Sequence, residues 1–140
     1  MATTAPSTAR KIRFWLVAIF LIGIPVQFYL AGRGVFGAGT YDAHKNVGDA
    51  MHGISILVFL VSFFGADMRN ARDIGLGFAL FVFMTIQAII PSFKHPDIGA
   101  LHPLNALIVL GIAVHILLRD RSFGQRQGQG QPAAQASSSA

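Results

Sequence analysis

The chain has 140 residues, 53% hydrophobic and only 12% charged, where an ordinary soluble domain carries about 25% charged residues. Every acidic residue is Asp, which leaves little from which to build solvent-facing amphipathic helices. Zero Cys excludes disulfides, thioether-attached haem, iron–sulfur clusters and thiolate catalysis.

Residues 1–11 begin MATTAPSTA, small and polar, and are expected to be a disordered cytoplasmic N-terminus. Four apolar blocks follow, Ile12–Ala31, Val47–Phe64, Ile74–Ile90 and Leu101–Leu118. Each is near the length that crosses a ~30 Å hydrocarbon layer as a helix. The first block could be read as a cleaved signal, because Arg10, Lys11 and Arg13 precede it. Its apolar core is long for a signal, and it ends FYLAG with bulky Tyr29, so it is expected to be retained. Pro25 should bend it. LVFLVSFF and FALFVFMTIQAII have no polar face, which argues against buried helices of a soluble bundle. A glycine-rich external loop spans Gly32–Tyr41, and a short cytoplasmic loop spans Gly65–Asp73. Residues 119–140, basic and then rich in Gln, Gly, Ala and Ser, read as a disordered cytoplasmic tail.

The net charge of +5 is better explained by topology than by nucleic acid. Eight Lys and Arg lie on the side of the termini (Arg10, Lys11, Arg13, Arg69, Arg72, Arg119, Arg121, Arg126), against Arg33, Lys45 and Lys94 opposite. The positive-inside rule then places both termini in the cytoplasm. The expected fold is an all-α, four-transmembrane-helix bundle over residues 12–118 in the cytoplasmic (inner) membrane.

An internal repeat with an offset of 50 aligns MHGIS at Met51–Ser55 with LHPLN at Leu101–Asn105, and Arg69 with Arg119. It suggests two helical hairpins in a parallel, pseudo-twofold repeat, an arrangement that commonly frames a site at its interface. His52 and His102 each precede their arginine by 17 residues, about 25 Å along a helix. They can therefore stand at equal depth on the second and fourth spans, as two axial ligands of a haem iron must.

Small residues flank both histidines, and Gln27, Gln87 and Asn105 could accept from the ring N–H groups. His44 is a substitute ligand or a partner for a haem propionate. The same residues also suit plain helix packing, where small side chains allow close approach and polar ones hydrogen-bond between helices. Asp49 and His52 could also bind a metal with His102 and Asp97, although an Asp-x-x-His pair on a helix is a weak signal and no third helix offers a carboxylate in its span. His115 reads as a ring at the cytoplasmic interface and His95 as a solvated loop residue.

The motifs VQFYLAGRGVF, HKNVGDAMHG and LHPLNALIVLG, in this order, resemble a family of small four-span bacterial integral membrane proteins of unknown function. The resemblance covers roughly Leu16–Leu118 and implies fold and location, not activity. Through His52, His102 and His44 the architecture also resembles b-type membrane cytochromes and the half-bundles of haem A synthase. That second resemblance implies haem b and electron transfer with a quinone or a respiratory or redox partner. The glutamates of haem A synthesis have no counterpart, since the chain has no Glu. Two readings follow. One is a haem b protein with His52 and His102 as iron ligands; the other is a non-catalytic accessory subunit whose His/Asn/Gln network only fixes packing. The lipid bilayer is the expected partner, nucleic acid is not, and either reading accommodates a homo-oligomer.

Overall fold

The computed structural model describes residues 8–65 and 70–128. The expectations for residues 1–7 and 129–140, and for Arg69 in the repeat, lie outside them. Four long helices form the molecule: α1 (Thr8–Val35), α2 (Asp42–Phe64), α3 (Ala71–Ile89) and α5 (Leu101–Gly128). A 3₁₀ turn (Ile90–Ser92) and the four-residue α4 (Pro96–Gly99) join α3 to α5.

The helix ends follow local chemistry. Past α1, Gly37 adopts φ +71, while the Ala38 N–H reaches the Arg33 carbonyl at 2.8 Å and the Gly37 N–H the Gly34 carbonyl at 3.3 Å. This paired closure satisfies the last carbonyls of α1 and favours glycine at the left-handed position. Asn70 caps α3, its side chain accepting from the Asp73 N–H at 2.9 Å. Pro103 falls in the first turn of α5, where a missing N–H costs nothing. α1 runs unbroken through Pro25.

The helices reach further than the apolar blocks. α1 starts at Thr8 rather than Ile12, and α5 continues to Gly128 rather than stopping at Leu118. Arg10 in the first extension and Arg119 and Asp120 at the start of the second form ion pairs inside the bundle instead of leaving for water.

Packing runs in a ring: α1 on α2, α2 on α3, α3 on α5 and α5 on α1, with no backbone approach across either diagonal. The apolar centre is Val17, Phe20 and Ile24 of α1, Met51 and Val58 of α2, Leu80 and Met84 of α3, and Val109, Ala113 and Ile116 of α5. Gly77 lets α2 and α3 close up, since a Cβ there would stand 3.2 Å from the Phe59 Cα. At most 22% of each helix's apolar window is buried inside the bundle. The apolar majority therefore faces outward, as Trp15, Ile22, Tyr29, Leu104 and Leu107 do. A soluble monomer does not expose so continuous an apolar surface; four helices of this length and hydropathy make a multi-pass membrane protein.

Candidate functional site

Polar side chains occupy the bundle interior in two layers, one at each end of the apolar centre. The first is the layer expected from the sequence. His44, near the start of α2, places its Nδ1 3.2 Å from the Gln27 carbonyl of α1. Its ring meets that of His102 across the α2–α5 diagonal, with centroids 5.9 Å apart and planes at 61°. His52 turns to α3, with Nε2 3.1 Å from the Thr85 hydroxyl and its ring stacked on Phe81 at 5.9 Å. Asn105, buried in α5, donates to the Gln87 side-chain oxygen at 2.6 Å and to the Phe83 carbonyl at 2.9 Å.

Thus the structure joins His102 to His44, Asn105 to Gln87, and His44 to Gln27. The partners of the His52 ring, Thr85 and Phe81, are on α3, and His102 is not among them. The aligned residues Ser55 and Asn105 are both buried, yet Ser55 bonds the His52 carbonyl within its own helix while Asn105 crosses to α3. The side-chain partners therefore do not repeat with the sequence. Two buried polar atoms in this layer lack a partner, Gln27 Oε1 and His102 Nδ1. His95 and Asp97 are exposed in the α3–α5 connection, 3.7 Å apart, and His115 is exposed on α5. Among the described residues, no group of three metal-ligating side chains converges.

Sequence reasoning missed the second layer. At the end that carries the termini, Arg13 is fully buried and donates Nε to Asp120 Oδ2 at 2.9 Å and Nη2 to Asp120 Oδ1 at 2.6 Å. It also reaches Asp73 Oδ1 at 3.0 Å and the Ser62 hydroxyl at 3.1 Å. Arg10 contacts Asp120 at 3.0 Å and Asp73 at 3.4 Å, and Arg119 Nε donates to Asp73 at 2.7 Å. Side chains from all four long helices meet here. Three guanidinium groups surround two carboxylates, so each buried carboxylate is paired and hydrogen-bonded as a low-dielectric interior requires, and the third guanidinium, that of Arg119, keeps partial access to solvent. Asp73 is also held in the first turn of α3, where the helix dipole favours an anion. The chemistry available here is cohesion, since each carboxylate is already occupied by guanidinium donors.

None of the curated proteins or solved structures matches the chain. Residues 27–93, from Gln27 through His44 and His52 to the end of α3 and its 3₁₀ turn, match the model of a family of unknown function, DUF6220, and over that segment the chain is similar to it.

Proposed function

We propose that the chain is a non-catalytic, four-span accessory module of the cytoplasmic membrane whose interior polar residues hold its helices in register. The observation that carries this reading is how the expected ligands are engaged. His44 binds α1, His52 binds α3 and Asn105 binds α3, each by a hydrogen bond between helices. Such bonds are the usual cohesion of membrane helices. The exposed cations support an orientation with both termini in the cytoplasm: Lys11, Arg72 and Arg121 lie at the end of the termini, and Arg33, Lys45 and Lys94 at the other. The two-hairpin repeat read from the sequence belongs to this proposal as a plan of α1–α2 followed by α3–α5.

One observation favours a second reading, haem b binding with electron transfer to a quinone or redox partner. His102 keeps a buried, unpartnered Nδ1 and lies beside His44 on the opposite helix. An imidazole pair across a bundle is a recognised mode of axial haem ligation. In that reading His102 takes either His44 or His52 as its mate, and α2 and α5 must part to admit the porphyrin.

An absorbance spectrum of protein purified from haem-supplied cells separates the two. The accessory reading expects no Soret band, and expects His102→Ala to lower the unfolding temperature with no pigment to lose. A Soret band that disappears in His102→Ala overturns it in favour of haem.

A further inference from the structure

Among the described residues the backbone of α2 packs on α1 and α3, its His44 ring reaches His102 of α5, and its remaining face points away from the bundle. Lys45, Asp49, Gly53, Ile56 and Leu60 are all exposed there. At 100° per residue they fall within an arc of about 80°. Asp49 therefore sits mid-face, and among the described residues no hydrogen bond or ion pair engages it.

Its depth makes that exposure notable. Ser62 takes a hydrogen bond from buried Arg13 at 3.1 Å and so marks the level of the charged layer on α2. Asp49 lies 13 residues toward the opposite end, about 20 Å along the helix, inside a hydrocarbon layer of about 30 Å. A carboxylate facing lipid at that depth is costly, and such groups normally turn to a bundle interior or pair. Lys45, one turn nearer the surface, is N-terminal to Asp49, the weaker order for an ion pair within one helix. The structure forms no such pair.

We propose that this face is the interface with a second copy of the chain, related by a twofold axis along the membrane normal. Lys45 and Asp49 form a self-complementary pair. Facing strips bring each Asp49 within a turn of the other copy's Lys45, an axial offset of about 6 Å that the flexible four-carbon stem of lysine can span. An isologous contact satisfies both charges twice. Gly53 lies one turn below, and a Cβ built there meets nothing within 4 Å, so the second backbone can approach closely. This inference rests on the bilayer reading and is independent of whether haem binds.

The absence of Cys makes the test clean. The full chain carrying Gly53→Cys, purified and placed in phosphatidylcholine/phosphatidylglycerol vesicles, is oxidised and compared with Leu107→Cys, whose site is exposed on α5. Ile56→Cys serves as a second reporter on the same face, and circular dichroism confirms that each variant is helical. The expected result is a disulfide-linked dimer from Gly53→Cys or Ile56→Cys and only collisional background from Leu107→Cys. Adding Asp49→Leu should weaken dimerisation about tenfold or more, since both copies carry the change and the dimer loses two interhelical polar contacts. Cross-linking at Gly53 and Ile56 no greater than at Leu107 overturns the proposal, as does a dimer yield unchanged by Asp49→Leu. Because no other protein is present, a heteromeric partner or a lipid headgroup on this face also reads as monomer and overturns it.

Discussion

Arg13 grips Asp120 through two nitrogens, Nε on Oδ2 at 2.9 Å and Nη2 on Oδ1 at 2.6 Å. Both side chains are fully buried, although the residues stand 107 apart in the chain. The pair ties the start of the first helix to the far part of the last and closes the ring of four.

Asp120→Asn removes the charge that compensates Arg13 while keeping the shape. A buried pair broken on one side is expected to cost about 3 kcal/mol, mostly because the remaining charge is left in a low-dielectric interior. Asp73 retains part of the compensation at 3.0 Å. Replacing Arg13 with Met and Asp120 with Leu together should recover much of the loss. Denaturant unfolding in detergent micelles, followed by circular dichroism, measures both variants against the parent; equal stability of Asp120→Asn and the parent would refute the role given to the pair.

The same contact makes a prediction about length. A chain ending at Leu118 keeps all four apolar blocks but loses Arg119 and Asp120 and leaves Arg13 with the Asp73 carboxylate and the Ser62 hydroxyl. It should be markedly less heat-stable than a chain ending at Gly128. Thermal aggregation in detergent compares them, and coincident curves would mean that the extension of α5 adds no cohesion.

The four spans are legible in the sequence because the bilayer imposes length and apolarity on each of them. The charged layer is not, because its contacts join residues 46 to 110 apart. Arg10, Arg13 and Arg119 also fit the charge count that sets topology, which treats flanking arginines as solvent-facing. One signal was available: Asp73 and Asp120 stand among those arginines at the helix ends, where the counting rule assigns acids no role. At the other end, the sequence drew attention to His44, His52, His102, Asn105, Gln27 and Gln87, whose side chains lie between helices, and equally to Asp49, which is exposed on the outer face of α2. Their pairing was not legible, because distance from an arginine fixes depth but not the direction of a ring around its helix. That direction sends His102 to His44 and His52 to Thr85.

Asn105→Leu tests the histidine layer without touching a histidine. Asn105 is buried, and its amide donates to the Gln87 side chain at 2.6 Å and the Phe83 carbonyl at 2.9 Å. A leucine of similar size leaves the Gln87 oxygen without its donor. Losses of about 0.6–2 kcal/mol are usual for polar contacts between membrane helices, and unfolding in micelles should show one in that range. No loss would mean that the amide is incidental to packing.

Glycines divide by what surrounds them. At Gly77 a Cβ would meet the Ser62 Oγ at 2.7 Å and the Phe59 Cα at 3.2 Å. The serine cannot turn away freely, since it also receives Arg13 and bonds the Val58 carbonyl. Gly77→Val should therefore push α2 from α3 and disturb the charged layer at once, at about 1–3 kcal/mol for the overpacking. At Gly111 of α5 a Cβ meets nothing within 4 Å. Gly111→Ala should gain up to about 1 kcal/mol from helix propensity, because alanine loses less backbone freedom than glycine on entering a helix. Melting temperatures of the two variants should move in opposite directions from the parent; a fall for both would place Gly111 against a surface that the isolated bundle does not contain.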